Sequence, residues 1–419
     1  MATSKPQRGS SGYLPEELIR EILPRLPPRH LLRCRTVCKA WRRLATDRAL
    51  ILDHHARQPA QPLLTVYPFV APHNNCLEAV DLTTNNRRMV ARFVDRAPRP
   101  LSSPNDAAAN LVYKIRGALV VHGSCDGLLL LSFHDAVFVC NPATRQGALL
   151  PIPDNGFRHI AGFYAHAASG EYRVLYHQLR YNRVEGLRRK YYVLTLGSQD
   201  AARNIQLRTS SAAMGAGLAR GLAGSYDLPP VLLHGSLHWP PQQSQNGNIL
   251  VFHPAAESFS WIAPPPAALP LLQRKHHDTR LFQMQGTLAM FCWQHDARIS
   301  HLWFLEDYHG AEPNWVCKHR VELPVDLVYE PLPFYPAIPY PEGDMLVPES
   351  CDTVLHYDKT GTLLGSFECF VMGLGITPHT LKESLVIHDF LHTQRDAGAG
   401  EWFPQVEFAD GLPVTGMPF

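Results

Sequence analysis

Several chemistries lack their residues in this chain. It carries no HExxH metal helix, no CxxC pair, no GxSxG nucleophile turn and no GxxxxGK[ST] phosphate loop. No apolar run approaches 18 residues and no secretory apolar region opens the chain, so the expectation is neither export nor membrane crossing. Net charge is only +2 over 419 residues, which leaves no global field drawing the protein to nucleic acid or membrane. The nine cysteines are odd in number and scattered without tight pairs, the pattern of reduced thiols in the cytosol or nucleus. Cys34 and Cys38 stand one helical turn apart, but no second pair has zinc spacing, and they read as buried thiols.

What the chain does have is uneven. Hydrophobic residues make up 45% and charged residues 18%, enough for a sizeable core. Residues 1–58 hold 12 Lys/Arg against 5 Asp/Glu, a balance of +7, which leaves −5 for the remainder. A basic N-terminal module on a mildly acidic body favours an acidic docking partner by steering, or is simply a solvated helix face. In that module Leu18, Ile19, Ile22, Leu23 and Leu26 recur at helical spacing. Pro15, Glu16 and Glu17 suit a first turn, Pro24 threatens to end the helix early, and Pro27-Pro28 stops it. A second apolar series runs through Leu31, Leu32, Cys34, Val37, Cys38, Trp41 and Leu44. Thr46 to Arg57 reads as one more helix with Asp47 as its start. So few short helices cannot bury so much apolar surface among themselves. The segment reads as a docking element.

From Leu63 the period changes to strands. Short apolar runs end in polar turns at Asp81, Asn141, Ser198, His253, Asp307 and Asp358, with successive intervals of 60, 57, 55, 54 and 51 residues. A second hairpin precedes several of these, at Cys125-Asp126-Gly127-Leu128, Leu233-His234-Gly235-Ser236 and Met284-Gln285-Gly286-Thr287, where glycine permits a positive-φ turn. Two hairpins per unit give four strands per ~50 residues, the blade of a kelch-type β-propeller. The fold class is therefore α+β multidomain: a small all-α N-terminal unit, then a large all-β propeller of six blades. The expected divisions are a disordered leader 1–12, helical domain 13–57, linker 58–62, propeller 63–408 and tail 409–419. Residues 385–408, including Leu385-Val386-Ile387 and Trp402 to Phe408, are expected to supply the last strands, one of which closes the ring against blade one.

Two resemblances attach to these residues. Leu14-Pro15-x-Glu17-Leu18-Ile19, Ile22-Leu23-x-Arg25-Leu26-Pro27, Leu31-Leu32-Arg33 and Val37-Cys38-Lys39-x-Trp41-Arg42 together resemble the F-box. The phrases CDGLLLL, VFVCNPATR, GEYRVLY, LLHGSLHW and ILVFHPAAESFSWI, in that order across roughly residues 110 to 370, resemble the F-box-associated domain of plant F-box proteins. The resemblance implies a non-catalytic substrate receptor of a Skp–cullin–F-box ubiquitin ligase, with no cofactor. It further implies that Leu14, Pro15, Leu18, Ile22, Leu26, Pro27, Leu31, Val37, Cys38 and Trp41 dock a Skp-family adaptor, with Arg35 and Lys39 at the rim. The target protein would be held by propeller loops.

Other readings compete with it. His276-His277-Asp278, with His295 and His301, is a candidate metal cluster, although it falls in an inter-blade stretch. Arg188-Arg189-Lys190 among tyrosines, and Arg87, Arg88, Arg92 and Arg96, are candidate nucleic-acid contacts or simply solvated strand ends. The GxG at Met214 to Ala219 reads as a loop, and Trp239, Trp261, Trp293, Trp303 and Trp315 read as core. A propeller enzyme or a sugar- or metal-binding module with an incidental helical appendage remains the alternative class, and an adaptor-bound scaffold without a degradation target is a third.

Overall fold

The computed structural model describes residues 14–408 except 69–74, 95–118, 134–135, 153–157, 183–185, 199, 207, 210–214, 216–217, 219–228, 242–246, 270–276, 295–298, 311, 323–337, 341–342, 370–371 and 394–404. The leader, the tail, His276, His295, Arg96, Trp402 and most of Met214 to Ala219 lie outside the described residues.

Helix α1 (Glu16–Ile22) starts behind Pro15, whose φ of −55° and ψ of 145° set the N-cap. Pro24 has no N–H to return to the Arg20 carbonyl, and α1 gives way to a 3₁₀ turn over Leu23–Arg25. Helix α2 (Pro28–Cys34) uses Pro28 as a first residue, so the proline pair that ends one helix also begins the next. Helix α3 (Lys39–Thr46) is capped by Cys38, whose Sγ accepts the Trp41 N–H at 3.5 Å. Helix α4 (Arg48–Arg57) is capped by Asp47, whose Oδ1 accepts the Leu50 N–H at 3.0 Å.

Six sheets follow, each with four antiparallel strands, and in blade one the first of the four comes from the far end of the chain. Blade one comprises Met372–Lys382, Ala60–Pro68, Asn75–Asp81 and Asn86–Val94, with Gln405–Phe408 added at its outer edge. Blade two comprises Val120–Cys125, Leu128–Phe133, Ala136–Asn141 and Gln146–Leu149, with His392–Thr393 outermost. Blade three is Arg158–Ala165, Tyr172–Asn182, Gly186–Thr195 and Arg203–Ile205. Blade four is Val231–Leu233, Ser236–Trp239, Ile249–His253 and Ser258–Ile262, with Arg208–Thr209 alongside in parallel. Blade five is His277–Met284, Thr287–Gln294, Ile299–Asp307 and Asn314–Glu322. Blade six is Ile338–Pro339, Met345–Pro348, Thr353–Tyr357 and Leu363–Glu368.

All six turn markers fall between the third and fourth strand of successive blades. Their chemistry explains the spacing signal. The Oδ1 atoms of Asp81, Asn141 and Asp358 accept the N–H two residues on, at 3.0, 3.0 and 2.8 Å, the Asx-turn that lets a short polar side chain stand in for backbone. The first-to-second-strand hairpins turn through paired positive φ: 51° and 83° at Asp126 and Gly127, 48° and 71° at His234 and Gly235, 52° and 75° at Gln285 and Gly286. That is the type I′ geometry, whose twist matches the strands it joins.

The run Leu128-Leu129-Leu130-Leu131 is wholly buried because a blade is packed on both faces. Leu129 and Leu131 join the core shared with blade one, whereas Leu128 and Leu130 join the core shared with blade three.

Ring closure departs from expectation. The closing strand is Met372–Lys382, which pairs with Ala60–Pro68 from Pro68↔Met372 to Ala60↔Lys382, and Leu385-Val386-Ile387 forms no strand. Gln405–Phe408 does pair with blade one, but at the outer strand, Phe93↔Val406. Gly373, Gly375 and Pro378 hide the closing strand from an apolar count. Gly373 leaves room for the Tyr67 ring laid across it, and Pro378 lies in the bulge between the pairs Pro62↔Thr380 and Leu64↔Ile376. The same bulge lets blade one begin at Ala60, within the stretch read as linker.

Candidate functional site

The helical module has a small core of its own: Ile19, Leu23, Leu31, Leu44, Ala45, Leu50 and Ile51, flanked by half-buried Leu26, Leu32, Cys34 and Trp41. His54 on α4 is fully buried, and its Nε2 lies 2.9 Å from the Leu26 carbonyl, tying α4 to the end of the 3₁₀ turn. Burial lowers the pKa of this ring, which favours the neutral imidazole there.

What the core does not use is left outside. Leu14, Leu18 and Ile22 are 45%, 46% and 42% exposed, and Val37 is 62% exposed. Leu18 and Ile22 stand one turn apart on α1, with Leu14 just ahead of its start, so they form one stripe. Pro15, Pro27, Cys38 and Lys39 are exposed as well. Leu26 and Trp41 are half-buried against the core and serve both sides.

Two of the residues expected on this surface are turned elsewhere. Leu31 has no exposed surface, because the short α2 directs it between Leu23 and the α3–α4 pair. Arg35 is half-buried, and its Nε donates to the Ala45 carbonyl at 3.1 Å, a tie between helices rather than a free rim charge. Desolvation pulls its pKa below the usual guanidinium value.

The competing sites do not assemble. Arg87 pairs with Glu78 at 3.3 Å, Arg88 with Glu383 at 3.2 Å and Arg92 with Glu407 at 3.8 Å, so these cations are already matched. Trp239, Trp293 and Trp315 are buried, and Trp261 and Trp303 pack partly buried against blade cores. Among the described residues no three His, Cys, Asp or Glu side chains converge as metal ligands. A crevice of about 370 Å³ beside blade three is lined by Arg173, Ser198, Asp200 and Arg203, but Arg173 pairs with Glu171 at 2.7 Å and Arg203 with Glu257 at 3.0 Å. No helix among the described residues is long and apolar enough to cross a membrane.

Sequence reasoning missed one group altogether. Leu385 is buried inside the helical core, and Val386 and Ala143 pack against it, so two propeller segments complete the N-terminal module. The only local hint was an apolar triplet, Leu385-Val386-Ile387, stranded after a lysine-ended strand.

Known proteins share this arrangement. Residues 12–53 match an F-box-like family, and residues 83–358 match the F-box associated beta propeller domain. An F-box protein of Arabidopsis thaliana is 25% identical over 336 residues, covering 73% of this chain and 72% of its own length. F-box/WD-40 repeat-containing protein 1 of the same plant is 25% identical over 338 residues, covering 77% of this chain and 73% of its own length. Helical start, open apolar stripe, six blades and these relatives agree: the chain belongs to the F-box proteins that carry an F-box-associated β-propeller.

Proposed function

We propose that this F-box protein is the target-recruiting subunit of a Skp–cullin–F-box ubiquitin ligase, doing no bond chemistry itself. The observation that carries the reading is the open stripe of Leu14, Leu18 and Ile22 with Val37, left exposed beside a core of Ile19, Leu23, Leu31, Leu44, Leu50 and Ile51. Such a patch is costly in water and marks a protein contact. The +7 balance of residues 1–58 suits an acidic adaptor of the Skp family, and through it a cullin–RING partner. Ubiquitin would then reach the target by proximity.

Antiparallel strand order puts the first-to-second and third-to-fourth turns of every blade on one propeller face, and the helical module sits on that face. The fourth strands of blades one, three and five end on the other face, at Val94, Ile205 and Glu322. A target held on that face stands clear of the adaptor.

The test uses the full chain against a purified Skp adaptor. Leu18→Asp with Ile22→Asp changes only exposed positions and should lower affinity at least 100-fold while the thermal melt stays in place. Undiminished binding by that double variant would refute the docking assignment. Adaptor binding with no change in the lifetime of any captured partner would favour the scaffold reading instead.

A further inference from the structure

The joint between the helical module and the propeller is more extensive than a tether. Strand Met372–Lys382 closes the ring, and the next residues run directly into the helices. Lys382 Nζ donates to the Ala56 carbonyl at 2.8 Å, and His55 Nδ1–H donates to the Glu383 carbonyl at 2.9 Å. The Glu383 carboxylate faces Arg88 of blade one at 3.2 Å, and Arg88 also donates to Gln61 at 2.7 Å. Ser384 is fully buried against Gly127 of the blade-two hairpin, where any Cβ would overlap it. Leu385 enters the helical core with 1% of its surface exposed. Asn141 holds the segment from below: its Nδ2 donates to the Ser384 carbonyl at 3.0 Å and the Val386 carbonyl at 3.3 Å, while its Oδ1 accepts the Ala143 and Thr144 N–H groups.

We infer that residues 383–387 are an orienting clip that fixes the angle between the helical module and the propeller, with Asn141 and Leu385 as its positioning residues. Asn141 does two separable jobs. Its carbonyl oxygen folds its own turn, and its amide clamps a segment that belongs to neither blade. A hydrophobic plug, two clamped carbonyls and two cross-module side-chain-to-backbone bonds restrict rotation in different directions, which a flexible linker would leave open. For a subunit that presents a target by proximity, that angle sets how far the target stands from the transferring enzyme. This consequence rests on the receptor reading, whereas the clip itself does not.

The experiment measures the angle without the adaptor. In the full chain, spin labels on exposed Cys317 and on Ala49→Cys at an exposed position of α4, in a background with Cys38→Ser and Cys351→Ser to remove the other exposed thiols, report the module-to-blade-five distance by pulsed electron resonance. The unaltered joint should give one narrow distance distribution. Asn141→Asp keeps the turn acceptor but turns an oxygen towards two carbonyls, and Leu385→Ala withdraws the plug. Each should broaden the distribution or add a second population, with adaptor affinity changed less than about threefold because the open stripe is untouched. A wild-type distribution that is already broad, or two variants as narrow as the wild type, would overturn the clip. Should Asn141→Asp unfold blade two, shown by loss of the cooperative melt, Leu385→Ala decides alone, since its side chain lies outside the blades. Broadened distances in a chain that never binds adaptor would keep the clip and sink the ligase reading.

Discussion

Acid should unfold this propeller far sooner than its modest net charge suggests. His177, His238 and His379 are buried between strands, and desolvation holds their pKa values down to about 3, about 4 and about 4. In the unfolded chain the same rings titrate near ~6.5. Between those values the unfolded state binds protons that the folded state refuses, so stability is complete above about pH 6.5 and drains as the pH falls. At pH 5 each ring costs about 2 kcal/mol, and the three together roughly 6 kcal/mol, against a total stability on the order of 5–15 kcal/mol. Urea unfolding followed by tryptophan fluorescence should therefore show a midpoint that falls steeply from pH 7.5 to pH 5. His177 allows a sharper version. Its ring stacks 4.8 Å from His159 and lies 5.2 Å from Tyr191, and neither nitrogen has a hydrogen-bond partner among the described residues. His177→Phe keeps the shape, so it should change stability by about 1 kcal/mol or less at pH 7.5 and retain about 2 kcal/mol more than wild type at pH 5. A flat midpoint across this range, or a phenylalanine variant with the wild-type pH slope, would refute the reasoning.

Two further outcomes follow from burial and from turn chemistry. Burial pushes the thiols of Cys125, Cys140 and Cys292 up to about 12, whereas Cys38, Cys317 and Cys351 are exposed, so a thiol reagent at neutral pH should titrate those three quickly and the buried ones only after denaturation. Asn85 joins the last blade to the first: Nδ2 donates to the Leu364 carbonyl at 3.3 Å, and Oδ1 accepts from His356 Nδ1–H at 2.7 Å, from a residue at φ of 51°. Asn85→Ala should cost about 1–3 kcal/mol and open the seam between blades six and one to limited proteolysis before any other seam; an unchanged melt would count against it.

The blades were readable because their turns need particular atoms. An Asx-turn calls for Asp or Asn and a type I′ turn for glycine, so Asp81, Asn141 and Asp358 mark three of the hairpins and Gly127, Gly235 and Gly286 mark three others. The four-leucine run was readable as strand for a related reason, since both faces of a blade are covered. What stayed hidden depended on distant chain. Gly373 of Met372–Lys382 looks like a breaker until Tyr67 lies across it. The phase of α2 could not be fixed from seven residues, and Leu31 turns inward in a core that Leu385 completes from the far end of the sequence. For the same reason a cut after residue 62 would not yield two intact halves: it removes Leu385 from the helices and Ala60–Pro62 from blade one.

Closure by the late strand also governs how the protein is made. Leu64 must wait for Ile376 before blade one gains its inner partner. At 5–20 residues per second that wait lasts roughly 15–60 s on the ribosome. Throughout it, the edge of Ala60–Pro68 is an unpaired template, open to any other extended chain in the crowd around it. Translation speed and chaperone supply, rather than final stability, would then set the yield of this protein in a cell.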